Sequence, residues 1–152
     1  EIIFAALTLE TSVLEGYGDV SIELKEDLIS HRSTVFEENS RFFFKRKGII
    51  SGEISQIPSG YRATWDDRHI LAMSKLFGKI STDTRKENFP QLLFNPGDGN
   101  EEDFIEVHIF GPLHRTNIER IILGALVPED KSLAIRLRKK FAKVGIELEI
   151  RE

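Results

Sequence analysis

No cysteine occurs among the 152 residues, so neither a disulfide framework nor a thiolate metal site can form. That absence fits a reducing compartment and equally fits a secreted domain built without disulfides. No apolar run approaches the roughly 18 residues that span a bilayer. The chain opens at Glu1, with neither a methionine nor a signal-peptide pattern, and reads as a soluble piece of a longer protein. A surplus of basic charge is also lacking. Lys and Arg number 21 against 25 Asp and Glu, a net charge of -4, which disfavours a nucleic-acid backbone binder. No glycine-rich phosphate loop and no serine nucleophile elbow appears. Tryptophan occurs once, but 11 Phe supply apolar bulk, and 40% hydrophobic with 30% charged residues is a globular composition. The length suits one domain, residues 1–152, around one core.

Period-two alternation predicts strands at residues 2–9, at Val20, Ile22 and Leu24 after the turn 16–19, and at Ile146, Leu148 and Ile150 at the end. Residues 25–30 suggest a short helical connection and 33–36 a brief extended piece. Three adjacent Phe at 42–44 fit either a strand or a helix, with a hairpin expected around Gly48. A helix is expected over 65–77, capped by Thr64, carrying Ile70, Met73, Ser74 and Phe77 at helical spacing and stopped by Gly78. A second runs from Pro128 to Gly145 with Leu133, Leu137, Phe141 and Val144 as its apolar stripe. Its basic residues, Arg136, Arg138, Lys139, Lys140 and Lys143, are expected to face solvent. Residues 118–126 form a helix, or a turn followed by a strand at 120–123. Strands interleaved with two main helices, without regular alternation, make the fold class α+β.

The sequence FIEVHIF at 104–110 is the clearest strand and the most chemical one. Alternation puts Ile105, Val107 and Ile109 on one face and Phe104, Glu106, His108 and Phe110 on the other, with Glu106 and His108 about 7 Å apart along the chain. A carboxylate beside an imidazole suits a cleft wall, where Glu106 can accept from a sugar hydroxyl or stabilise positive charge at a sugar carbon. It equally suits an ordinary edge or solvent face. Before it, residues 95–103 (NPGDGNEED) form a loop whose acids miss the calcium-loop pattern. His31, His69, His108 and His114 show no zinc spacing, so no metal is expected. Arg32, before Ser33 and Thr34, is placed to grip a phosphate or to sit solvated near a turn.

Three stretches taken together, YGDVSIELK at 17–25 with Arg32-Ser33-Thr34, FIEVHIFGPL at 104–113 with NIERIIL at 117–123, and KVGIELEI at 143–150, resemble bacterial ADP-ribosyltransferase-like toxin and effector domains. The resemblance covers about half the chain in patches. It implies a split, strand-rich fold of mixed and antiparallel sheets that binds NAD, the substrate, in a central cleft. It implies Glu106 as the catalytic acid, supported by His108, holding the ribose hydroxyl beside the nicotinamide bond and stabilising an oxocarbenium-like transition state. Arg32 is then the phosphate or ribose contact, and Thr34 with Ser33, or Thr11 with Ser12, the hydroxyl motif that braces the Glu. Tyr17 or Phe110 provides the aromatic wall, and 95–103 the target-recognition loop. The acceptor is an unknown macromolecule, such as a protein, and such domains act in the cytoplasm or are delivered into a target cell's cytosol. Two departures stand out. Phe104 occupies the position where arginine-modifying members carry Glu, which disfavours arginine as the target. Residues 2–9 hold no Arg or His, so either Arg32 or a residue in a segment before Glu1 takes the role of the family's early Arg or His, or the domain does not bind NAD. Two further readings compete: a non-catalytic interaction module of a toxin or effector system, using 95–103 and the basic helix as contacts, and a hydrolase or nuclease using Glu106 and His108 as acid and base.

Overall fold

The strand Asp103–Phe110 runs through the centre of a five-stranded sheet in the computed structural model, which describes residues 1–9, 17–49, 59–95, 102–124 and 131–151. The chain order is β1 Ile2–Leu7, β2 Val20–Leu24, α1 Glu26–Ile29, β3 Ser33–Phe36, α2 Ser40–Lys47, β4 Arg62–Thr64, α3 Arg68–Leu76, α4 Phe89–Leu93, β5 Phe94–Asn95, β6 Asp103–Phe110, β7 Ile118–Leu123, α5 Lys131–Ala142 and β8 Glu147–Ile150. Among the described residues, two sheets and five α-helices make a mixed fold of the α+β kind. The chain divides into two compact units, Glu1–Ser12 with Ser30–Pro112, and Val13–Ile29 with Leu113–Glu152. No helix among the described residues is long and apolar enough to cross a membrane.

In the first unit the strand order is β1-β6-β3-β4, all antiparallel, with β5 pairing the start of β6. Strand β6 is thus bordered on both sides. Ile105, Val107 and Ile109 are buried, as is Val35 at the same register and parity on β3. The opposite face carries Phe36, which meets Phe43 of α2 edge-on at 5.0 Å, while Phe43 packs on Tyr61 at 4.8 Å. Both faces of this sheet are therefore largely covered, which takes the solvent-face alternative away from Glu106.

Residues 40–47 are helical because the local signals agree. The Asn39 side chain accepts from Arg41 N at 3.0 Å, and Gly48, at φ 65°, closes the last turn in a left-handed conformation. No hairpin forms at Gly48. Lys45-Arg46-Lys47 is a basic last turn, favourable at a helix carboxyl end, and Arg46 pairs with Glu38. Helix α3 starts later than its sequence suggests. Thr64 belongs to β4, and Asp67 is the N-cap residue, tied to Thr64 by hydrogen bonds in both directions. Its inward residues are Leu71, Lys75 and Leu76, whereas Ile70, Met73 and Phe77 point outward.

The second unit is a three-stranded sheet, β2-β7-β8, with β2 antiparallel and β8 parallel to β7. The parallel pair is joined through α5, as a parallel connection requires. Ile121, Ile146 and Leu148 form its buried cluster, with Leu137 and Phe141 of α5 packed against it. Residues 118–123 are a strand rather than a helix because Ile121 and Leu123 fit this pleated surface, with Ile118 alongside. Val20 and Ile22, expected half-buried, are exposed, although they pair with Leu123 and Ile121. The expected loop 95–103 keeps Asn95 and Asp103 inside strands, and its middle lies outside the described residues, as do Thr11, Ser12 and the start of the helix expected from Pro128.

Candidate functional site

Register decides which side chains meet. Opposite residues of antiparallel strands project to the same face. His108 therefore shares a row with Phe4 of β1, Thr34 of β3 and Thr64 of β4, and Glu106 shares the next with Ala6, Phe36 and Arg62. Ile2 and Phe110 form the row beyond. Four strands far apart in the sequence thus converge on one sheet face.

Glu106 is only 6% exposed, an unusual state for a carboxylate. Burial of an acid is tolerated when hydrogen bonds replace water. His108 Nε2 donates to Glu106 Oε1 at 2.6 Å. This bond fixes the imidazole orientation and occupies one carboxylate oxygen. Oε2 takes no hydrogen bond from any described residue. The imidazole lies between two rings, with Phe4 edge-on at 5.1 Å and Phe36 nearly parallel at 6.1 Å. Phe36 is fully buried, whereas Phe4, Ile2 and Phe110 stay substantially exposed, so an apolar patch borders the polar pair.

Thr34 adds an unsatisfied hydroxyl. Its Oγ1 is buried and has no hydrogen-bond partner among the described residues. A carboxylate oxygen and a hydroxyl on adjacent rows, both without a partner among the described residues, suit a ligand that presents hydroxyl groups. Arg32 reaches the end of the same strand, donating from Nη1 to the Phe110 carbonyl at 2.5 Å. Gly111 permits that approach: it sits at φ +81°, and a Cβ there would stand 3.3 Å from Nη1. One nitrogen of the guanidinium is committed to the strand, and the rest of the fork retains donors for an anion.

Five of the six sequence candidates, Glu106, His108, Thr34, Arg32 and Phe110, belong to β6 or to the segment 32–34 beside it. Tyr17 lies in the second unit, exposed, just before β2. Sequence reasoning missed Phe4, because an apolar residue in an apolar strand carries no signal until register sets it against His108. A shallow depression elsewhere, lined by Lys79, Ser81, Asp83, Thr84, Asn88, Gln91 and Leu92, contains none of these side chains. The chain shows no significant match to any family model, curated protein or solved structure.

Proposed function

We propose that the protein is an ADP-ribosyltransferase-like enzyme that cleaves NAD at the bond between nicotinamide and ribose, with Glu106 at the reacting centre. The observation that carries the reading is the state of the Glu106 carboxylate: buried on a central strand and held by His108 through one oxygen, with no hydrogen bond to the other from the described residues. In this reading Oε2 accepts a hydrogen bond from a ribose hydroxyl. The fixed negative charge stabilises the positive charge that develops at the sugar carbon as nicotinamide leaves with the bonding electrons. An acceptor nucleophile on a macromolecule, such as a protein, then bonds to that carbon and loses its proton. His108 holds the carboxylate in place, Thr34 supplies its unpaired hydroxyl to the sugar, and Arg32 offers its remaining donors to phosphate. Phe110 and Phe4 border the patch on which a flat ring rests. A split fold like that of these transferases belongs to the same proposal.

The interaction-module alternative expects Glu106 on an open sheet face, and the burial of Glu106 weighs for the catalytic reading. An acid–base hydrolase is the second reading, favoured by the short bond between Glu106 and His108. Incubation with NAD separates the two. Nicotinamide release that falls by about a hundredfold or more in Glu106→Gln, with folding unchanged, supports the first. Absence of NAD binding by calorimetry sinks it.

A further inference from the structure

Helix α3 is apolar on two sides. Leu71 and Leu76 turn inward, while Ile70, Met73 and Phe77 are 57%, 70% and 89% exposed, and Ile80 just beyond them is 47% exposed. Spacings of three and four residues place Ile70, Met73 and Phe77 on one stripe. Single exposed hydrophobes are ordinary, whereas a contiguous stripe marks an interaction surface. Phe77 alone presents roughly 150–200 Å². The three stripe side chains together present on the order of 400 Å², half of the roughly 800 Å² that each partner contributes to a stable interface.

We propose that this stripe is the contact face of a homodimer, with α3 of two copies packed antiparallel about a two-fold axis near Met73. A two-fold contact requires a patch complementary to itself. The stripe carries no charge, so it meets no like charge on its copy. Its ends differ in net sign: Asp66 and Asp67, just before the helix, outweigh Arg68, which turns onto the Trp65 carbonyl and ring, and Lys79 follows the last turn. Lys79 bonds to Asp103 yet keeps 36% of its side chain exposed. Antiparallel packing brings the acidic end of one helix to the basic end of the other and opposes the two macrodipoles. Parallel packing would set acid against acid.

Sedimentation equilibrium over about 1 to 100 µM is expected to show the mass rising toward twice that of one chain. Phe77→Ser is expected to weaken association at least about tenfold, with an unchanged circular dichroism spectrum. A single-chain mass throughout overturns the proposal and leaves the stripe to a different partner, and a dimer indifferent to Phe77→Ser overturns it too. Because the chain lacks cysteine, Met73→Cys introduces one unambiguous thiol. Mild oxidation is expected to crosslink it into a dimer far more completely than Ile70→Cys, since only a residue on the axis meets its own copy. Equal crosslinking of the two variants, or none, overturns the antiparallel geometry.

Discussion

Thr34 is the most informative residue after Glu106, because its hydroxyl is buried without a partner among the described residues. An unmet buried hydroxyl costs about 1–3 kcal/mol. Thr34→Val keeps the shape and removes the unmet group. The variant is expected to be as stable as the natural protein or up to about 1 kcal/mol more stable, read from its urea midpoint, while nicotinamide release drops. A loss of stability instead would mean that the hydroxyl is satisfied in the folded protein. At this scale the sequence was informative where chemistry is rare. A Glu and a His two residues apart in an apolar strand stand out by type alone, and alternation puts them on one face. Burial of that face was not legible, since it depends on Phe36 and Phe43 arriving from other elements.

At the scale of elements, Lys75 and Asp103 link α3 to the start of β6. The Lys75 side chain is buried, and its Nζ donates to the Glu37 carbonyl at 2.8 Å and to Asp103, which also binds Lys79 at 2.6 Å. Burial pushes the Asp103 carboxyl up, but the hydrogen bonds and charges of Lys75 and Lys79 hold it below its ordinary value. A carboxyl depressed by folding stabilises the protein above its unfolded value, about 3.9, and that contribution is lost as pH falls through the folded value. The melting temperature of the natural protein is therefore expected to fall more steeply below about pH 4 than that of Asp103→Asn. At neutral pH Asp103→Asn leaves a buried ammonium short of its carboxylate and is expected to cost about 1–2 kcal/mol, discounted because the Asp103 side chain is 39% exposed. Lys75→Met removes the buried charge itself and is expected to stay within about 1 kcal/mol of the natural protein. A larger loss for Lys75→Met than for Asp103→Asn would contradict this account. Strands with clean alternation were legible: β6, β8 and β2 lie within a residue or two of their sequence patterns. Helix α3 was legible as a helix but not in its orientation. Ile70, Met73 and Phe77 fit an inward stripe as well as Leu71, Lys75 and Leu76 do, and no local rule expects a lysine to turn inward. Helix α2 was hidden because three consecutive Phe have no period, and its decisive signals are the Asn39 cap and Gly48.

For the whole molecule, the decisive fact is that the second unit is discontinuous. Strand β2 comes from residues 20–24 and its partners β7 and β8 from beyond residue 117, with most of the first unit between them. Among its described residues, a peptide of residues 113–152 holds two parallel strands and one helix, and without β2 the antiparallel edge of β7 is left unpaired. It is expected to be largely unfolded by circular dichroism, with the Ile121 and Leu148 amides exchanging faster than in the full chain. A peptide that folds alone would show that β2 is dispensable. Composition and length suggested one core, and nothing local in the sequence marks the point where the chain leaves one unit for the other.

The two-residue repeat of β6 has a consequence for sequence change. The strand behaves like a reading frame of length two. Deletion of Ile105, with the pairing of the flanking strands preserved, would swing the carboxylate onto the opposite face, into the place of Ile105, and bring Val107 into the place opposite Phe36. A substitution can be absorbed one position at a time, but a single-residue insertion or deletion reverses both faces together. Length variants that keep a folded, working protein are therefore expected outside residues 103–110, or inside them only in steps of two.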